Sequence, residues 1–298
     1  MADANRLTVM TFNIRYDEES DGQHVWRNRR NSVIGTIRAH DPDLLGLQEP
    51  DATQWRELAA GLPVLSAFGA SAVDSEDTVP RGGFFRTERF RTIDSGVFWL
   101  SETPSVPDSV SWPNDWGARV CGWVKLQDER ADESLVFATT HFDTNAGAWL
   151  PSAQVLHGQL DEVAGDLPVV LVGDFNCAAG SEAHRYLRSE AGFRDAWSET
   201  GNADEGVVTF NGFTPLTRLP GDPQGVERWL ETMSIRANAF AHDPSHVRVH
   251  RNYRIDWILL RGHLTARSAI IDYRTDEGLL PSDHYPVVAR IEYARQMS

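Results

Sequence analysis

The sequence predicts an α/β domain built on packed sheets, and three observations carry that expectation. Strand-like apolar runs alternate with helical periodicity near the start of the chain, and the alternation resumes from Ala148 onward. Between the two lies a stretch of short runs separated by Pro, Asp and Gly turns, which reads as antiparallel strands. No linker divides these parts, so residues 1–298 read as a single domain.

Leu7 to Ile14 is the first expected strand, rich in residues that suit a buried sheet. Arg27 to Ala39 carries Val33, Ile34 and Ile37 at helical spacing and stops before Asp41 and Pro42. Leu44 to Leu47 forms the second strand, after which Asp51 can cap a helix carrying Trp55, Leu58 and Ala59. The runs GGFFR, DSGVFWLS, VCGWVKLQ and SLVFATTHF, between Gly83 and Phe142, are the antiparallel group. Ala148 to Val163 returns to helical spacing, with Pro151 acceptable only in a first turn. The strand VVLVGD follows, and then Ser181 caps a helix through Leu187 that Gly192 ends. From about 214 to 250 periodicity is lost and Pro215, Pro220, Gly221, Pro223, Gly225 and Pro244 gather, which reads as an insertion.

Composition narrows the function classes. The 298 residues are 41% hydrophobic and contain no apolar run of the roughly 20 residues that a membrane helix needs. A cytoplasmic, monomeric protein without a membrane partner is the default expectation. Cys121 and Cys177 are too few for a disulfide framework and read as packing residues. The formal net charge is -15, and Lys125 is the sole lysine among 28 basic residues. Such a surface repels polyanions, which counts against a processive nucleic-acid binder in dilute salt. The same balance suits a halophilic protein, whose hydrated carboxylates keep it dissolved in concentrated salt.

The chemistry gathers where apolar runs stop. VVLVGDFN ends in Gly173, Asp174 and Asn176, while TFN, LLGLQE and VFATTH end in Asn13, Glu49 and His141. Asp256 lies inside YRIDWILL, and SDH puts Asp283 and His284 just ahead of YPVVARIEY. Polar groups at the ends of buried strands point to one convergent site. Glu49 and the Asn13 amide are hard oxygen donors suited to Mg²⁺ or Mn²⁺. His141 and His284 offer proton transfer or a charged hydrogen bond, and Asp256 can orient His284. Asp174 and Asn176, two apart on an extended segment, would point to one side and hold a water. Attack on phosphorus needs a positioned nucleophile and neutralised non-bridging oxygens, and this inventory supplies both. Taken singly, each residue has an ordinary reading as a cap or a satisfied core group.

In order along the chain, TFNIRYD, DPDLLGLQE, TTHFDTN, GDFN, RIDWILL and SDHYPVV resemble the endonuclease/exonuclease/phosphatase superfamily of metal-dependent phosphoesterases. FFRTERFRTIDSGVFWLSETP and ARVCGWVKL are most similar to its prokaryotic stand-alone members. The resemblance implies a DNase I-like four-layer α/β sandwich, with two packed mixed β-sheets flanked by helices. It further implies a divalent-metal-dependent phosphoesterase that hydrolyses a phosphodiester, as a nuclease does, or a phosphomonoester by direct attack of water. By motif, Glu49 would be the principal metal ligand with Asn13 beside it and Asp283 close by. Asp174 and Asn176 would position water and phosphate, His284 would pair with Asp256, and His141 would stabilise the phosphorane oxygens. Arg119 matches a phosphate-side arginine. The motif leaves His284 open between base, acid and phosphate ligand.

Two departures qualify the likeness. Apurinic-site endonucleases of the superfamily carry an acidic residue where this chain has Arg15, which argues against DNA repair, and TVPRGG replaces an acidic-aromatic-asparagine pattern before Phe84. Two other classes compete: a catalytically silent binding scaffold of the same fold, and a glycosidase using Glu49 and Asp174. Neither needs the full ordered set. His242, His246 and His250 recur at every fourth residue, but Pro244, Val247 and Val249 oppose a helix there, so they read as loop. Trp123 reads as core, and Trp112 and Trp116 as an aromatic wall of the pocket.

Overall fold

Alternation of side chains across two sheets is what brings the site together. The computed structural model describes residues 4–69, 81–204, 206–213, 254–275 and 279–294. The insertion expected at about 214–250, with its three histidines, lies outside the described residues.

In chain order the elements are β1 (Arg6–Asn13), α1 (Trp26–His40), β2 (Leu44–Gln48), α2 (Ala52–Gly61), β3 (Leu65–Phe68), β4 (Gly83–Arg86), β5 (Phe90–Trp99) and β6 (Val120–Asp128). They continue with β7 (Glu133–His141), α3 (Ala146–Ala164), β8 (Val169–Asp174), α4 (Glu182–Ser189), β9 (Arg194–Asp195), α5 (Ala196–Glu199), β10 (Asp256–Arg261), β11 (Leu264–Ile271) and β12 (Val287–Tyr293). Two six-stranded mixed sheets result, in the orders β11-β12-β1-β2-β4-β3 and β5-β6-β7-β8-β10-β9. Each contains one parallel pair near its centre, β1 with β2 and β7 with β8, among antiparallel neighbours. The four-layer α/β sandwich that the resemblance implies is therefore observed.

Three apolar clusters define the layers. Val9, Leu44, Phe137, Val170, Val172 and Ile258 meet between the sheets. Met10, Phe12, Leu45 and Leu47 face outward onto Val33 and Ile37 of α1 and Trp55 and Leu58 of α2. Val136, Ala138, Leu171 and Leu259 face the other way onto Leu156 and Leu160 of α3 and Leu187 of α4. Period-two alternation thus assigns Val9, Thr11 and Asn13 to the inner face of β1, Val170, Val172 and Asp174 to that of β8, and Asp256 and Ile258 to that of β10. Towards one end the inner layer turns polar. The Thr11 hydroxyl donates to Gln48 Oε1 at 3.3 Å, and Gln48 Nε2 donates across the sandwich to Thr139 Oγ1 at 2.9 Å. Gly46 keeps the sheets close here, since a Cβ on it would fall 2.2 Å from Val172 Cγ2.

Local signals explain most boundaries. Asp51 and Gln54 close a capping box at the start of α2, and Ser181 accepts from the His184 N–H at the start of α4. Asp41 ends α1 in a left-handed conformation with φ 46°, just before Pro42. Helix α3 starts two residues earlier than its periodicity suggests, because Asn145 accepts from the Gly147 N–H. Pro151 consequently lies in the second turn rather than the first. Cys121 and Cys177 are buried free thiols in the cluster under α3, and burial pushes both well above the usual thiol range, as packing residues require. Among the described residues no helix is long and apolar enough to cross a membrane.

Candidate active site

Asp174 occupies the centre of the candidate site. It is the last residue of β8, and strand register sets His141 of β7 opposite it on one side and Asp256 of β10 on the other. His141 Nε2 lies 3.3 Å from Asp174 Oδ2. From the first sheet Asn13 reaches across: its Nδ2 donates to Asp174 Oδ2 and to Glu49 Oε1, each at 3.0 Å. The Asn13 oxygen accepts the backbone N–H of Arg15 at 3.0 Å, so this amide presents its donors to the carboxylates.

Glu49 follows β2 with φ 63°, which breaks the strand alternation that would have sent it outward. Its Oε2 is buried without a hydrogen-bond partner, and the nearest cationic atom, Arg15 Nη1, is 3.9 Å away. Burial alone would raise the Glu49 carboxyl, but His141, the Asn13 hydrogen bond, His284 and Arg15 together hold it below the usual range.

His284 enters from the loop ahead of β12. The Ser282 hydroxyl donates to the Asn13 carbonyl at 2.7 Å and anchors that loop. His284 Nδ1 lies 2.9 Å from Asp256 Oδ2, and Nε2 lies 3.6 Å from Asp174 Oδ2. Phe210 packs against the imidazole at 5.0 Å between centroids. Burial would lower its pKa, yet Asp256 and Asp174 outweigh that effect and push it up to about 10. Asp174 is held well below the usual carboxylate range, with burial opposed by His284, His141 and the Asn176 N–H. Burial pushes the Asp283 carboxyl up to about 6, with His284 opposing and Glu49 adding to the rise.

Asn176 departs from the extended geometry expected of it. Its φ is 49°, and its backbone N–H turns back to Asp174 Oδ1 at 2.9 Å. The side chain still reaches the same ring as Asp174, with Nδ2 2.9 Å from His141 Nε2 and 2.8 Å from the Phe142 carbonyl. Asp283 approaches Arg15 Nε at 4.0 Å. Arg119 stands apart from the cluster. Its ion-pair partner is Asp143, 3.5 Å away and two residues beyond His141.

Several supporting groups carried no sequence signal. Arg29, buried on α1, donates to the carbonyls of His24, Ile14, Arg15, Tyr16 and Pro281, and so ties the loop after Asn13 to the loop before His284. Thr209 Oγ1 accepts the N–H groups of Ile255 and Asp256 at 3.0 and 3.2 Å. Arg15, legible only as a departure from a motif, bridges Asp21, Glu49 and Asp283.

Asp174, Asp256 and His284 offer ligand atoms all within 4.8 Å of one another. Asp256 Oδ2 is engaged by His284 Nδ1, which leaves Asp256 Oδ1 and Glu49 Oε2 as the buried carboxylate oxygens of this region that accept no hydrogen bond.

The sequence model of the Endonuclease/Exonuclease/phosphatase family matches residues 10–284, from Met10 in β1 to His284 itself. The chain belongs to this family. It is a hydrolase that acts on phosphate ester bonds, from a family that generally uses divalent metals. Among solved structures, the family member from Bacteroides vulgatus is 26% identical with a TM-score of 0.76, covering 97% of this chain and 99% of that one. Bacteroides thetaiotaomicron mannosyl-6-phosphatase shares the fold at 24% identity and a TM-score of 0.76, over 96% of this chain and all (100%) of that one. In sequence, uncharacterized protein L388 of Acanthamoeba polyphaga mimivirus is 26% identical over 187 residues, 57% of this chain and 67% of that protein.

Proposed function

We propose that this family member is a Mg²⁺- or Mn²⁺-dependent phosphoesterase that hydrolyses its substrate by direct attack of water. The observation that carries the reading is that two carboxylate oxygens of the site, Glu49 Oε2 and Asp256 Oδ1, are buried and accept no hydrogen bond. Arg15 Nη1 stands 3.9 Å from Glu49 Oε2, and a divalent cation would add the direct contact that the guanidinium does not make. Glu49 would hold the metal, with Asp283 beside it and Asn13 keeping the carboxylates apart through its N–H groups. A bound divalent ion would neutralise charge on the phosphate oxygens.

The remaining steps belong to side chains. Asp174 stays ionised and can accept a hydrogen bond from the attacking water, while Asn176 and His141 bound the same volume. His284, paired with Asp256, directs Nε2 towards Asp174 and, when protonated, can donate to a non-bridging oxygen. Arg119 would lie on the leaving-group side, oriented by Asp143.

The test is turnover of p-nitrophenyl phosphate and bis(p-nitrophenyl) phosphate with Mg²⁺, with Mn²⁺ and with EDTA. Hydrolysis that requires the metal is expected. Equal rates in EDTA would overturn the metal assignment.

A further inference from the structure

The segment that follows His141 holds an exposed aromatic face that the hydrolytic chemistry does not use. Trp116 is 57% exposed, although the segment that carries it is tightly held. The buried carboxylate of Asp143, two residues past His141, accepts the backbone N–H groups of Asp115 at 2.8 Å and Trp116 at 3.0 Å, and also that of Asn145 at 2.8 Å. The Trp116 indole N–H donates to Thr144 Oγ1 at 3.0 Å, and the Thr144 hydroxyl donates to Asp115 Oδ2 at 3.0 Å. Gly117, at φ 83°, closes the turn with its N–H on Asn114 Oδ1 at 2.8 Å. Both polar handles of the tryptophan are satisfied inside the chain, and the ring is pinned at two points. A large apolar surface kept in water and fixed in orientation has paid its ordering cost in advance, as a recognition surface requires.

The surroundings define what would stack there. Asp115 is exposed next to the ring, Asn114 is half-buried, and the same Asp143 that pins the loop pairs with Arg119. Carboxylates accept hydroxyl hydrogens and repel further phosphates. An aromatic plate beside hydroxyl acceptors, with an arginine on the same pinning carboxylate, suits a ring that has an apolar face and a hydroxylated edge.

We propose that Trp116, with Asp115, forms a substrate subsite for a monosaccharide phosphate, binding the sugar ring while the ester is cleaved at Asp174 and His284. The subsite deepens the phosphoesterase reading above and rests on it. The bond broken is that between phosphorus and the ester oxygen, and the sugar leaves as the free alcohol with a proton that water supplies.

The experiment measures kcat and KM, with Mn²⁺, for glucose 6-phosphate, adenosine 5′-monophosphate and glycerol 3-phosphate on the wild type, Trp116→Ala and Trp116→Phe. Binding of glucose 6-phosphate to each protein is measured in parallel by calorimetry with and without metal. The wild type should favour the sugar phosphate, and Trp116→Ala should cut the ratio of kcat/KM between sugar phosphate and glycerol phosphate about tenfold, through KM. Trp116→Phe should recover most of that ratio, which a purely structural tryptophan would not predict. A ratio unchanged by Trp116→Ala, or a wild-type preference for the nucleotide, would overturn the subsite. Should no ester turn over, the phosphoesterase reading fails by itself, and weaker calorimetric binding to Trp116→Ala than to wild type still decides the subsite.

Discussion

Asn13 Nδ2 stands 3.0 Å from Asp174 Oδ2, although the two residues are 161 positions apart and belong to different sheets. The contact closes the polar end of the inter-sheet layer. It also gives Asp174 and Glu49 a shared donor, so a buried and a half-buried carboxylate are kept apart by N–H groups.

Asn13→Asp should therefore be worse than Asn13→Ala, since it puts a third carboxylate where a donor stood. We expect kcat/KM to fall about a hundredfold or more in Asn13→Asp, with a smaller loss in Asn13→Ala. Steady-state rates for the two variants on one aryl phosphate decide the order.

Asp256→Asn removes the main group that raises His284. The imidazole of the metal-free protein should hold its proton through neutral pH in the wild type and titrate well below pH 10 in the variant. Because the folded pKa lies above the unfolded value of about 6.5, the pair stabilises fully below that pH and loses its effect as pH rises through about 10. NMR titration of the His284 ring protons reads this directly, and identical curves for both proteins would contradict the assignment.

Acid stability has a different source. Asp195 accepts from His184 and Arg254 at 2.9 and 2.6 Å, and although burial opposes it these partners hold its pKa down to about 2. A depressed carboxyl contributes above its unfolded pKa of about 3.9 and ceases to contribute as pH falls through about 2. Asp195→Asn should lower the thermal midpoint at pH 6 and narrow the gap to wild type near pH 2. The contribution is on the order of 2 kcal/mol.

Metal binding should register as stability. Saturating Mn²⁺ should raise the wild-type midpoint by several degrees, as about 2–3 kcal/mol of linkage does, and Glu49→Gln should lose most of the rise. Thermal melts of both proteins with and without Mn²⁺ suffice.

Gly46→Ala tests the closeness of the sheets. Its methyl would meet Val172 Cγ2 at 2.2 Å and Thr139 Oγ1 at 2.9 Å, so a loss of about 1–3 kcal/mol is expected in urea unfolding.

Much of the site was legible because it obeys strand periodicity. Asn13, His141 and Asp174 end apolar runs, and Asp256 begins one, so abrupt changes from apolar to polar mark the edge of the sandwich. What the sequence hid depends on backbone turns and on distance. Asn176 looked like a continuation of its strand, yet a left-handed residue redirects it to His141. Glu49 reaches the site only through its own positive φ. Arg29 sits in a run of arginines and asparagines on a helix, and nothing local distinguishes it from its exposed neighbours, since its partners are carbonyls from three separate segments.

The Ser282 hydroxyl on the Asn13 carbonyl has a temporal meaning as well. Residues near one end of the chain acquire their working arrangement only when a segment some 270 positions later docks against them. Asn13 therefore gains its contacts with Ser282 and His284 only after both ends of a 271-residue span have packed together, which makes this corner of the sandwich a long-range closure.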